Sequence, residues 1–207
     1  MKINTILWDF DGVILDSMAV RDWGFREILK DFPLEQVEQL IAYHRANGGL
    51  SRFVKIKYFY ETILGKSISK EEIEIYANSF SSLMRKELIN PANLIHDTVE
   101  YIKKECNNLR FHIVSGSAQD ELRFLCKELG LAEYFLSIYG SPTPKKELVA
   151  KVLFENGYNN LQCCLIGDSL NDYEAAEVNS INFFGFNNDL LIDYGIGYID
   201  NFKDFKL

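Results

Sequence analysis

From about residue 93 onward, short apolar runs alternate with helix-like segments, and this alternation restricts the possible folds more than any other feature of the chain. The apolar runs cover residues 3–8, 110–114, 135–139, 163–166 and 181–186, and most of them end at small or acidic residues. A strand buried on both faces reads as a continuous apolar run, whereas a half-exposed strand alternates. Helical periodicity fills residues 97–105, 119–129, 146–155 and 170–178. Strands and helices in turn predict a parallel sheet covered by helices on both faces, an α/β Rossmann-like core. Residues 17–90 break the rhythm with four helical patterns and no strand, and Asn90-Pro91 supplies the exit breaker. The expected organisation is therefore a core domain of residues 1–16 and 92–207, with an α-helical domain of residues 17–91 inserted after the first strand.

In an open parallel sheet, ligands bind outside the carboxyl ends of the strands, where loops and helix amino termini converge. The chemically capable residues fall at those ends. The first run stops at Asp9-Phe10-Asp11-Gly12, two carboxylates one residue apart before a glycine that permits a sharp turn. By itself this is also what an acidic turn or a helix cap looks like. The second run leads into Ser115-Gly116-Ser117, a turn able to offer a hydroxyl and backbone N–H groups to an anion, or simply to cap a helix. The fourth gives Gly167-Asp168-Ser169-Leu170-Asn171-Asp172, which places two acids four positions apart on one face of a first helical turn. Hard divalent cations take oxygen ligands of this kind. Between these lies Pro144-Lys145-Lys146 at the start of a helix. A lysine there is usually solvated, but beside several carboxylates it would offset their repulsion, and Lys145 is preferred over Lys146 on loop spacing.

Bulk properties narrow the partners. A net charge of −8 lacks the basic face that phosphate-backbone binding requires, so no nucleic-acid partner is expected. No apolar stretch approaches the roughly 20 residues that cross a bilayer, so no membrane partner is expected either. Acids at positions 9 and 11 interrupt the amino-terminal apolar run before it reaches signal-peptide length, which points to a cytoplasmic, reduced protein. Cys106, Cys126, Cys163 and Cys164 lack metal-ligand spacing and read as core filling.

The four stations in this order, Asp-x-Asp-Gly, a hydroxyl residue after the next core strand, a lysine and Gly-Asp-x-x-x-Asp, resemble the haloacid dehalogenase superfamily over the whole chain. Within it the match is to the β-phosphoglucomutase and phosphoglycolate phosphatase-like branch, which carries a helical cap where residues 17–91 stand. The resemblance implies a phosphoric monoester hydrolase in which Asp9 is the nucleophile and Asp11 the general acid and base. It implies Mg2+ held by Asp9, the Asp11 carbonyl and Asp168 with Asp172 in or near the shell. Ser115, Gly116 and Lys145 would cradle phosphoryl oxygens. Arg52, in Gly49-Leu50-Ser51-Arg52, looks like the cap arginine that grips the non-reacting end of a small phosphorylated metabolite. That arginine keeps open a phosphomutase of the β-phosphoglucomutase type, and a non-catalytic protein retaining the fold is the third expectation. Arg21, Lys55 and Lys57 are weaker candidates, expected to be solvated.

Overall fold

A computed structural model of the chain describes residues 2–207. Among these residues the sheet has six parallel strands: β1 (Thr5–Trp8), β2 (Arg110–Ala118), β3 (Ser137–Ser141), β4 (Cys163–Gly167), β5 (Asn182–Phe186) and β6 (Gly197–Ile199). Their order is β3-β2-β1-β4-β5-β6. The chain therefore extends the sheet one way from β1 through β2 and β3, then the other way through β4, β5 and β6. That reversal makes a switch point at β1, with a crevice beyond its carboxyl end. Register is set centrally, with Trp8 beside Ile113 on one side and Ile166 on the other.

Period-2 geometry explains how one short strand serves two cores. Ile6 and Trp8 face a core that includes Phe111, Ile113, Leu122 and Leu125, while Leu7 faces Val149, Leu165 and Phe183 on the opposite side. Helices α5 (His96–Glu105) and α6 (Gln119–Glu128) feed the first core, and α7 (Lys145–Asn156) and α8 (Leu170–Val178) feed the second. Burying a Leu, Ile or Phe is worth roughly 1.5–3 kcal/mol, so the central strand is fixed from both faces.

After β1 the chain leaves the sheet and forms α1 (Met18–Ile28), α2 (Leu34–Ala46), α3 (Arg52–Tyr58) and α4 (Lys70–Glu87), with a π-helical turn over Phe59–Ile63 prolonging α3. Ser69 and Glu72 close a reciprocal capping box that starts α4. Phe25 packs on Phe80 with ring centroids 4.4 Å apart, and Leu40, Ile56, Phe59 and Met84 complete the apolar interior of this unit. The four expected helical patterns are thus present, and Trp23 on α1 is 41 % exposed. Strand β6 was absent from the expected set, because three residues beginning with a glycine carry no periodic signal. Strand β2 also runs four residues past its expected end, so Ser115-Gly116-Ser117 forms the irregular end of a strand rather than a turn beyond it. No helix of the described residues is long and apolar enough to cross a membrane.

Candidate active site

Backbone geometry at the end of β1 decides where the first two acids go. The Asp9 amide continues the ladder by donating to the Ile166 carbonyl at 3.0 Å, so the side chain leaves the sheet at its carboxyl edge. Gly12 then turns the chain at φ +80, and its amide donates to the Leu15 carbonyl at 2.8 Å. A Cβ at Gly12 would meet the Asp168 carboxylate as well as a strained φ, so the turn and the acid from β4 occupy adjoining space only because residue 12 has no side chain.

Asp168 directly follows β4, and Asp172 lies in the first turn of α8. One Asp172 oxygen closes a capping box, accepting from the Ser169 amide at 3.1 Å and from its hydroxyl at 2.6 Å. Its other oxygen faces Lys145 Nζ, so this acid both caps the helix and belongs to the site. Lys145 opens α7 after Pro144 and reaches Asp9 Oδ1 at 2.8 Å. Lys146 is exposed, so Lys145 is the lysine at the crevice.

Ligating oxygens of Asp9, Asp168 and Asp172 all lie within 4.8 Å of one another. Burial first, then the Asp172 charge, raises Asp9 to about 7 despite Lys145. Asp168 is likewise raised, by burial and by Asp9 and Asp172. Three carboxylates against one ammonium leave two negative charges in excess, which a divalent cation would balance, and all the donors are hard oxygens. These residues therefore fit magnesium. A second group of acids with a histidine, His96, Asp97 and Glu100, lies on α5 at the surface.

Asp11 stands in a different environment. It accepts from Ser17 Oγ at 2.5 Å, Arg21 Nε at 2.7 Å and Ser117 Oγ at 2.6 Å. Burial alone would raise its pKa, but the Arg21 cation and the two hydroxyls outweigh it and hold the carboxyl below its usual range. Arg21 continues to Ser117 Oγ and to Glu121 Oε1. Glu121, fully buried in the first turn of α6, also takes two nitrogens of Arg52. Arg52 is further held by Ser81 Oγ at 2.7 Å and lies over the Phe80 ring. The expected substrate arginine thus lines the cavity, but its guanidinium is already committed to a carboxylate.

The helical unit is closed over the sheet edge. Asn171 Nδ2 donates to the Gly49 carbonyl at 3.1 Å, and a Cβ on Gly116 would collide with that same carbonyl. Between the two layers lies a cavity of about 30 Å³, room for about two waters, lined by Asp9, Asp11, Ser115, Gly116, Arg52 and Lys55 among others. Ser115 and Gly116 therefore share one cavity with both acids of β1.

The expectation that Arg21 and Lys55 are solvated is overturned: Arg21 is 6 % and Lys55 2 % exposed, and both line the cavity. Lys57 is exposed as expected. Ser17 and Glu121 were not singled out, and Asn187 and Asn188 also tie the site together, donating to the carbonyls of Gly12 at 3.0 Å and Asp168 at 2.7 Å. The four cysteines are free, as expected of core filling, and only Cys106 is partly accessible.

Comparison with known proteins decides the family. The model of haloacid dehalogenase-like hydrolases matches residues 6–186, most of the chain and all of the site. The chain belongs to that family. A phosphoglycolate phosphatase from Colwellia psychrerythraea is 21 % identical over 98 % of this chain and 89 % of its own length. Among solved structures, β-phosphoglucomutase from Clostridium difficile aligns with a TM-score of 0.75 at 18 % identity, covering 99 % of this chain and 93 % of that one. The HAD-hydrolase YfnB from Bacillus subtilis, in a form bound to magnesium, aligns at 0.73 and 17 % identity, covering 99 % and 97 %. At these identities the likeness is one of fold.

Proposed function

We propose that this haloacid dehalogenase-like hydrolase is a magnesium-dependent phosphatase acting on a small phosphate monoester, with Asp9 as nucleophile. The observation that carries the reading is the position of Asp9: at the carboxyl end of the central strand, inside a 4.8 Å cluster with Asp168 and Asp172, and paired with Lys145. An Asp9 oxygen attacks phosphorus in line, the ester P–O bond breaks, and an aspartyl-phosphate forms. Asp11 gives a proton to the departing oxygen, then takes one from the water that attacks the same phosphorus and restores Asp9. Lys145 steadies the Asp9 carboxylate, and Ser115 with the Gly116 amide binds the phosphoryl oxygens. Asp9, Asp168 and Asp172, with the Asp11 carbonyl, would hold magnesium, which would supply positive charge against the charge that develops on the transferring group.

The ion pair with Arg21 gives Asp11 a specific constraint. In the closed, empty site it is held as a carboxylate, the form that accepts a proton; the acid form requires the Arg21 contact to loosen when substrate enters. Residues 17–91 act as a cap domain that excludes water, and because the cavity admits little more than two waters, substrate entry requires this cap to swing away. The phosphomutase alternative rested on Arg52, whose guanidinium is engaged by Glu121.

Purified protein is expected to hydrolyse a generic aryl phosphate with magnesium, to lose turnover on chelation, and to regain it when magnesium is restored. Turnover indifferent to exhaustive chelation would remove the metal from the mechanism. Failure with every member of a broad phosphate monoester panel would return the chain to the non-catalytic alternative.

A further inference from the structure

Three cations of the helical unit line the cavity, and two of them are neutralised within the protein. Arg21 faces Asp11 and Glu121, and Arg52 faces Glu121. Lys55 differs. Its ammonium lies 2.8 Å from His44 Nδ1 and donates to the Gly48 carbonyl at 3.2 Å, and among the described residues it has no ion pair with a carboxylate. His44 cannot serve as a counterion: burial and the Lys55 charge push it down to about 2, so the ring is neutral and accepts on Nδ1. Its proton is then on Nε2, directed at Asp22, whose Oδ1 is 3.8 Å away and whose Oδ2 is held by the largely exposed Arg45.

A buried ammonium without a counterion is costly, and the cost falls when an anion is delivered to it. Only the cavity can deliver one, since Lys55 is 2 % exposed and lines that cavity on the side of the Gly48-Gly49 loop, against which Ser169 and Asn171 pack. Placing a lysine there is not required for packing. On α3 the neighbouring Ile56 and the following Phe59 already supply the apolar contacts.

We propose that Lys55 is the specificity-determining residue of this site, and that it selects a phosphate monoester carrying a second anionic group, carboxylate or phosphate, at the end remote from Asp9. The inference rests on the phosphatase reading above and adds the substrate class. Arg52 and Arg21, which a substrate would otherwise use, hold the cap to Glu121 instead. The second anion completes the charge balance of the closed cap, so cap closure and substrate selection become one event. Burial, and then Arg21, lower Lys55 to about 7, so its amine is only partly protonated in the empty site and a bound anion draws it into the ammonium form.

The test compares wild type, Lys55→Met and Lys55→Arg on matched substrates: ethyl phosphate, phosphoglycolate and a short-chain bisphosphate. Wild type is expected to favour one of the two compounds that carry a second anionic group over ethyl phosphate, and which of them wins distinguishes carboxylate from phosphate. Lys55→Met should raise KM for that compound roughly 10- to 100-fold while KM for ethyl phosphate moves less than about threefold, and Lys55→Arg should recover part of the loss. Binding of the same compounds to an Asp9→Asn background, followed by calorimetry, should show the same split without turnover. An equal loss on all substrates, or a wild type indifferent to the second charge, overturns the proposal while leaving the phosphatase reading standing. Absence of turnover in wild type together with the binding split would instead sink the phosphatase reading alone. A midpoint of unfolding within a few degrees of wild type shows that the variants fold.

Discussion

An Asp9→Asn variant is expected to lose kcat by about 10⁴-fold or more and, without magnesium, to unfold at a higher temperature than wild type. The activity loss follows from removing the proposed nucleophile, since a nucleophile knocked out of a unit disables the unit. The gain in stability follows from charge. Asp9 is buried beside Asp168 and Asp172, and its folded pKa of about 7 stands above the unfolded value near 3.8. A carboxyl whose pKa is raised on folding costs stability as pH climbs from about 4 toward 7, because the folded state holds the proton more tightly than the unfolded chain. Asparagine keeps the shape and removes that penalty, for a gain of roughly 1–3 kcal/mol at neutral pH, after allowing for the lost attraction to Lys145. Thermal unfolding with chelator present checks the sign. Lower stability in the variant would show that the Lys145 pair outweighs the carboxylate repulsion.

The second large effect concerns stability alone. Glu121 has no exposed surface and accepts from two arginines on two helices of the inserted unit, so it is the anion that ties that unit to α6. Glu121→Ala leaves two buried guanidinium groups facing a void, and breaking a buried pair in this way costs about 3–5 kcal/mol. For a chain of this size the midpoint should fall by roughly 6–20 °C. Removing Arg52 as well, in a Glu121→Ala, Arg52→Met double variant, should cost less than the two single changes together, because the second substitution removes one of the charges the first left unpaired. Additive losses in scanning calorimetry would mean that the two side chains do not depend on each other.

Those arginines also show where sequence reasoning stops. The strand ends were legible because β1 and β4 are apolar runs that stop abruptly at Asp9 and Asp168, and a sheet brings its strand ends to one edge whatever the loops do. Lys145 was preferred to Lys146 on loop spacing, and α7 starts at that lysine after Pro144. What escaped was the charge buried between the helical unit and α6, because Arg21 and Lys55 read as the solvated faces of their helices and Glu121 was not singled out. A signal was available in the periodicity. Arg21 precedes buried Phe25 by four residues, Arg52 precedes Ile56, Lys55 precedes Phe59, and Glu121 precedes Leu125, so each charge sits on the apolar stripe of its own helix. A charge on such a stripe has to find a partner inside the protein or in a ligand. Partner choice was not legible, because the link from Arg52 to Glu121 spans 69 positions and depends on how the helical unit lies on the sheet. The cost of that gap was specific: Arg52 was expected to meet substrate, whereas the cation left without a carboxylate is Lys55.

Covalent chemistry at Asp9 is the claim on which the rest stands, and chemical trapping tests it most directly. Protein turning over an aryl phosphate with magnesium is treated with borohydride, which reduces an acyl phosphate to an alcohol, and the peptide covering β1 is weighed and sequenced by mass spectrometry. The account predicts homoserine at position 9, only when substrate and metal are both present. Sustained turnover with Asp9 unreduced, or with the modification at Asp11 or Asp168, would contradict it.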